Sequence, residues 1–292
     1  MNACRQPIAS TQVTLPVSQL DLAGVQSALG WAEREGWQPG LGDHRAFFAA
    51  DPEGFFRSVL EDQTVATVSV VRGSSDVAFV GLYIVAPEFR GRSFGKQLWD
   101  EALGRFGGFT LGLDAVPEQV ATYASDGFVP AGGNARFSAE ADDLPDPDPS
   151  SSVRSASAVP FDDLVAFDGA HYFGPRPEFL REWITGDGKQ AVASLEGNSI
   201  TGFAASRPTS SGHRIGPFFA NDQGTARNLL LEVAADLTGP ISVDAPEPNQ
   251  EAFDLFTSLG MKQSFPTTRM YRGPAPDLPL DRIYGITTLE LG

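Results

Sequence analysis

The chain has 292 residues, 41% of them hydrophobic, enough for one large domain or two of ordinary size with true cores. Its formal net charge of -16 argues against nucleic-acid binding, which needs a basic face, and is compatible with a cationic substrate or with solubility alone. No apolar run approaches the roughly 18 residues of a membrane span. The opening "MNACRQPIASTQ" lacks the apolar core of a signal peptide, and the single cysteine, Cys4, offers neither an intrachain disulfide nor a zinc-type Cys/His cluster. The expectation is a cytoplasmic protein with no membrane, nucleic-acid or metal partner.

In chain order, "WAEREGWQPGLGDH" follows a first helix and gathers Trp31, Glu33, Glu35, Trp37, Asp43 and His44. Three antiparallel strands come next: "FFRSVLE", "TVATVSVV" after a two-residue turn at Asp62-Gln63, and "DVAFVGLYIV" after "RGSS". The stretch "VAPEFRGRSFGKQLW" then crowds Arg90, Arg92 and Lys96 around Gly91 and Gly95. Leu98, Ala102 and Leu103 have helical spacing, so the order is strand, basic glycine-containing turn, helix. A helix N-terminus presents unpaired N–H groups and the positive end of a dipole, which suits a phosphate. The turn matches neither G-x-x-x-x-G-K-[ST] nor G-x-G-x-x-G. Beyond it, "LGLDAVPEQVATYASDGFV" reads as a fifth strand ending at Asp114, then a helix carrying Tyr123.

"AEADDLPDPDPSSS", residues 139 to 152, cannot form a packed core and reads as an interdomain linker. The residues after it repeat the layout of those before: "QAVASLE", a turn at Gly197-Asn198, "SITGFAAS", "HRIGPFFA", and later "ISVDAPEPNQEAFDLFTSLGM". Leu60 and Leu195 are 135 positions apart, as are Gly81 and Gly216; Asp114 and Asp244 are 130 apart; Gly127 and Gly260, and Arg136 and Arg269, are 133 apart. Five in-order correspondences indicate a duplicated domain. Asp114 and Asp244, kept in both halves, are expected to stabilise the turn into the following helix.

The basic turn resembles the acetyl-CoA loop of the GCN5-related N-acetyltransferase (GNAT) family, [QR]-x-x-G-x-[GA], with Arg90 first, Gly95 last and Ser93 where the middle glycine is usual. "YASDGF" is similar to the family's Tyr-x-x-x-Gly-Phe. The resemblance implies an α/β (α+β) fold of two tandem GNAT-like domains, each a mixed, mostly antiparallel sheet flanked by helices. Residues 1-140 would be the catalytic domain and 153-292 a degenerate copy. It further implies acetyl-CoA as cosubstrate, held by the main chain of Tyr83, Ile84 and Val85 and by the loop Arg90, Gly91, Arg92, Ser93, Phe94, Gly95 and Lys96. Tyr123 would protonate the leaving thiolate and Glu33 would be the base, with Glu35 and His44 as other bases and with Trp31, Trp37 and Asp43 on the acceptor wall. The implied reaction is acetyl transfer to a small-molecule primary amine. A non-catalytic acyl-CoA-binding regulator and a protein lysine or N-terminal acetyltransferase are the alternatives, and a homodimer is allowed. In the second half, Arg227 and Gly224 are the only base and glycine where the loop should be, and Phe256 stands at the acid position, so that half is expected not to bind acetyl-CoA.

Overall fold

The computed structural model describes residues 14–292; Cys4 lies outside the described residues. β1 (Val17–Gln19) leads into α1 (Leu22–Arg34). Asp21 caps α1 by accepting from the Gly24 N–H at 2.8 Å, and Val25, Ala28, Leu29 and Ala32 form its buried stripe. After α2 (Asp43–Ala50), β2 (Phe55–Leu60), β3 (Gln63–Arg72) and β4 (Val77–Val85) form the expected antiparallel meander. The β2–β3 turn sits at Glu61-Asp62, one residue earlier than read from sequence. Both residues have positive φ, as a two-residue hairpin turn with native twist requires.

α3 (Phe94–Gly104) buries Phe94, Leu98, Trp99, Ala102 and Leu103 against the sheet. β5 (Thr110–Ala115), α4 (Val120–Ser125) and β6 (Val129–Glu140) complete the first half. Because β6 runs to Glu140 and a 3-10 turn occupies Ala141–Asp143, the connection without helix or strand covers only 144–152 of the linker expected over 139–152. The second half repeats the order: β7 (Val153–Ser155), α5 (Phe161–Ala170), α6 (Pro177–Trp183), β8 (Gln190–Glu196), β9 (Ser199–Pro208), β10 (His213–Ala220), α7 (Gln223–Ala234), β11 (Pro240–Pro246), α8 (Gln250–Ser258) and β12 (Lys262–Arg272). A last short strand, β13 (Ile283–Gly285), follows.

The two halves do not form separate sheets. Strands run in the order β1-β2-β3-β4-β5-β12-β6-β11-β10-β9-β8-β7, with β13 on β10. Each half's final long strand is thus exchanged: β12 lies between β5 and β6, and β6 lies between β12 and β11. Among the described residues only β4–β5 and β10–β11 are parallel, and each of these pairs holds for three residues before its strands diverge.

Buried ion pairs set the register of the exchange. Arg269 on β12 lies directly opposite Asp114 on β5 and donates to both its oxygens, at 2.7 and 2.8 Å. Arg136 on β6 lies directly opposite Asp244 on β11 and donates at 2.7 and 3.2 Å. Arg214 adds a third contact to Asp244, at 2.6 Å. The repeated Asp and Arg therefore bond across the halves, rather than stabilising the following turns as the sequence suggests. Burial pushes the Asp244 carboxyl up, but Arg214 and Arg136 outweigh it and hold it below the usual range. Between the halves, Phe47 of α2 stacks on Trp183 of α6 with centroids 6.3 Å apart, within one core cluster that also holds Leu29, Leu164, Phe203 and Leu291.

Asp244→Asn strands two buried guanidinium groups and is expected to cost about 3–5 kcal/mol in urea unfolding. The wild-type advantage is present above the ordinary carboxyl value of 3.8 and is lost as pH falls through the depressed native value, so the two curves should converge in acid.

Candidate active site

β4 and β5 part after Phe79 and Gly112, because β5 continues along β12 instead. A bulge in β4, where Leu82 adopts φ +47°, turns the strand at the divergence. The opening is a cavity of about 430 Å³ lined by β4 from Val80 to Val85, by Leu113, Asp114 and Val116, and by Tyr123. Its remaining wall carries Glu35, Trp37 and Arg90 from the first half and Phe265, Thr267, Leu289 and Glu290 from the second. The exchanged strand and the C-terminal tail are therefore part of the site.

At one end of this opening the basic turn enters α3. Gly91 has φ +74° and Ser93 φ +63°, so Ser93 occupies the left-handed conformation that glycine would take at no steric cost. No side chain caps α3. Among the described residues, none hydrogen-bonds the main-chain N–H groups from Gly91 to Lys96, while Gln97 N–H bonds the Ser93 carbonyl. This arrangement can receive an anion. Gly95 is required by packing: a Cβ there would lie 2.5 Å from Val85 Cγ2 and 2.7 Å from the Tyr83 hydroxyl oxygen.

The three bases differ in their engagements. The Arg90 guanidinium donates to the Val85 carbonyl at 2.9 Å and pairs with Glu35, so it frames the cavity mouth. Arg92 lies over the Phe89 ring at 5.6 Å. Lys96 is exposed, paired with Asp100 and 3.6 Å from Asp126. The rings of Tyr83, Trp99 and Tyr123 pack in series at tilted angles, with centroids 4.9 and 5.3 Å apart. Burial pushes both phenols up to about 12, Tyr83 further assisted by neighbouring Tyr123 and Asp100. The Tyr123 hydroxyl forms no hydrogen bond with any described residue and faces the cavity as a protonated donor.

Several expected acceptor residues lie elsewhere. Glu33 is the main correction: its carboxylate takes a hydrogen bond from Ser210 at 2.5 Å, on the β9–β10 turn, and does not line the cavity. Asp43 is buried beneath the site and pairs with Arg207 at 2.9 Å, also accepting from the Gly40 N–H. Trp31 packs on the core, whereas Trp37 does reach the cavity. His44 lies in a separate depression beside Arg45 and Glu182; burial and Arg45 lower its pKa. Sequence reading passed over Phe265, Thr267 and Glu290, which come to the site only through the exchange and the tail.

The corresponding opening of the second half is closed. β13 pairs with β10 at Phe218 and Phe219, just beyond the divergence from β11. The remaining cavity, lined by His171, Phe219, Pro246 and Ile283, is about 90 Å³. Asp222 caps α7 with its own carboxylate, accepting from the Thr225 N–H at 2.8 Å. Phe256, opposite number of Tyr123, is fully buried.

The model of the acetyltransferase (GNAT) family matches residues 22–122, and a model of an acetyltransferase (GNAT) domain matches residues 164–285. The chain is 32% identical over 267 residues to the holothin acyltransferase of Pseudoalteromonas sp. (strain SANK 73390), covering 90% of this chain and 89% of that one. It is 24% identical over 215 residues to the uncharacterised N-acetyltransferase YitH of Bacillus subtilis (strain 168), covering 73% and 76%. In fold it is similar to an acetyltransferase structure from Pyrococcus horikoshii, with TM-score 0.80 and 19% identity over the whole of both chains. It is also similar to a tandem GNAT protein from the clavulanic acid biosynthesis pathway, with TM-score 0.63, 15% identity, and 90% and 100% covered.

Ser93→Gly relieves a left-handed serine and is expected to raise stability by about 0.5–1 kcal/mol in urea unfolding. Gly95→Ala, which drives a methyl group into Val85 and Tyr83, should instead lower it by about 1–3 kcal/mol.

Proposed function

We propose that this chain, which belongs to the GNAT acetyltransferase family and is an acyltransferase, moves the acetyl group of acetyl-CoA to the primary amine of a small molecule, binding acetyl-CoA in the cleft of its first half and not in that of the second. The observation that carries this reading is the asymmetry between two equivalent clefts. One is open beside an uncapped helix N-terminus, and the other is filled by the chain's own strand beside a helix capped by a carboxylate.

The N–H groups from Gly91 to Lys96 would hold the diphosphate, with Arg92 and Lys96 adding charge around it. The β4 edge at Tyr83, Ile84 and Val85, which β5 leaves unpaired, offers main-chain groups to the pantetheine arm in the manner of an added strand. An N–H group of that edge would stabilise negative charge on the thioester oxygen as the amine attacks. Tyr123 would give its proton to the departing thiolate. A protein that only binds acyl-CoA would have no need of a cavity-facing phenol free of hydrogen bonds. Trp37 would line the acceptor side, where its ring can face a cation. A small acceptor is supported by the relative whose name gives holothin as its substrate.

Calorimetric titration is expected to find one acetyl-CoA per chain; two equal sites would contradict the closed second cleft. Arg92→Glu combined with Lys96→Glu should weaken acetyl-CoA binding by about 1–3 kcal/mol. Tyr123→Phe should lower kcat by about 10²-fold with acetyl-CoA affinity unchanged. Because the phenol titrates only near 12, its ionisation should produce no alkaline fall in wild-type kcat below about pH 10.

A further inference from the structure

Three acidic residues line the open cavity: Glu35, Asp114 and Glu290. Glu35 is paired with Arg90 at the mouth, and Asp114 is clamped through both oxygens by Arg269 with Asn134 at 2.8 Å. Glu290 is different: no salt bridge to it forms among the described residues. It is buried, with 7% of its surface exposed, and its own-turn partner is Thr288. Its main chain lies directly on the β4 bulge, where a Cβ on Gly81 would come within 2.4 Å of the Glu290 carbonyl oxygen and 2.9 Å of its Cα. Gly81 thus has no side chain at the point where the tail of the second half enters the first half's cleft.

We propose that Glu290 is the catalytic base of the transfer reaction, supplied to the first half's site by the C-terminal tail. The assignment rests on the acetyl-transfer reading above. The Glu290 carboxylate takes one proton from the acceptor ammonium, and the freed lone pair forms the N–C bond to the thioester carbonyl carbon. The C–S bond then breaks, the thiolate takes the Tyr123 proton, and the second proton shed by the nitrogen restores the phenol. The proton on Glu290 returns to solvent.

The surroundings favour the protonated form of this carboxylate more than water would. Burial raises its pKa; Arg214 and Arg207 behind it oppose this, and Asp43 raises it further. Across the cavity stand Glu35 with Arg90, Asp114 with Arg269, and the neutral phenols Tyr83 and Tyr123.

The test compares wild type, Glu290→Gln and Glu290→Asp by thiol release from acetyl-CoA between pH 5 and 10. The acceptors are tyramine and putrescine, which are ammonium ions at neutral pH, and methoxyamine, which is already neutral. Glu290→Gln should lose about 100-fold or more in kcat/KM toward the ammonium acceptors at pH 7 and recover as pH rises. It should keep methoxyamine transfer within about threefold, keep its acetyl-CoA affinity and lose the acidic limb of the profile. Glu290→Asp should retain that limb. Equal losses toward all three acceptors, or a Gln variant with the acidic limb intact, would overturn the assignment while leaving acetyl transfer standing. A wild type that binds acetyl-CoA and transfers to none of them would remove both. For the folded protein itself, the Glu290 side-chain carbon signal, identified by its absence from the Gln variant, should titrate above the ordinary 4.5; a midpoint below that value would mark a structural ion pair and overturn the assignment.

Discussion

The fold depends on two aspartate–arginine pairs buried at matching positions of an exchanged pair of strands. β12 and β6 each leave the half that encodes them, and each carries one arginine that meets an aspartate of the other half in register. A slip of one residue in either strand would turn its arginine to the opposite face and break a buried two-point ion pair, leaving Asp114 with no cation and Asp244 with Arg214 alone. The pairs therefore do more than hold the halves together: they select one alignment of a sheet in which both halves share strands. Burial alone could not impose that, because apolar contacts tolerate shifts that a bidentate ion pair does not.

Duplication has given the protein two matching clefts and left one of them open. In the second half, the tail strand lies along β10 where the first half keeps a free edge, and Asp222 supplies from within the chain the negative charge that an uncapped helix would seek from a ligand. The tail then crosses to the first half and lays Glu290 against Gly81. One segment so fills a cleft at its start and furnishes the other at its end. The second half forms part of the wall of the open cleft, since Phe265, Thr267, Leu289 and Glu290 all come from it.

Much of this was legible in the sequence where the signal is local. Alternation marked β2, β3 and β4; glycines and bases marked the turn into α3; spacing marked the duplication, and the resemblance of "YASDGF" to the family's Tyr-x-x-x-Gly-Phe marked Tyr123. The left-handed Ser93 follows from its position in that turn. What could not be read is long-range pairing. Arg136 and Arg269 stood out as repeated residues, yet nothing near them in the chain says that their partners lie 108 and 155 positions away. For the same reason Glu33, next to the expected acceptor wall in sequence, proved to serve Ser210, and Glu290 was indistinguishable from a solvated acid in an irregular tail.

The exchange also bears on how the molecule comes into being during synthesis. When the first 140 residues have left the ribosome, the β5 edge still lacks its neighbour, which is not made until residue 262 and beyond. The nascent half must wait with an open strand edge and an unpaired Asp114, a state prone to wrong partners. Final closure joins segments about 150 residues apart, a separation of the kind that slows folding. Splitting the gene between the halves would thus yield two fragments, each missing a central strand, that regain a native sheet only by finding one another.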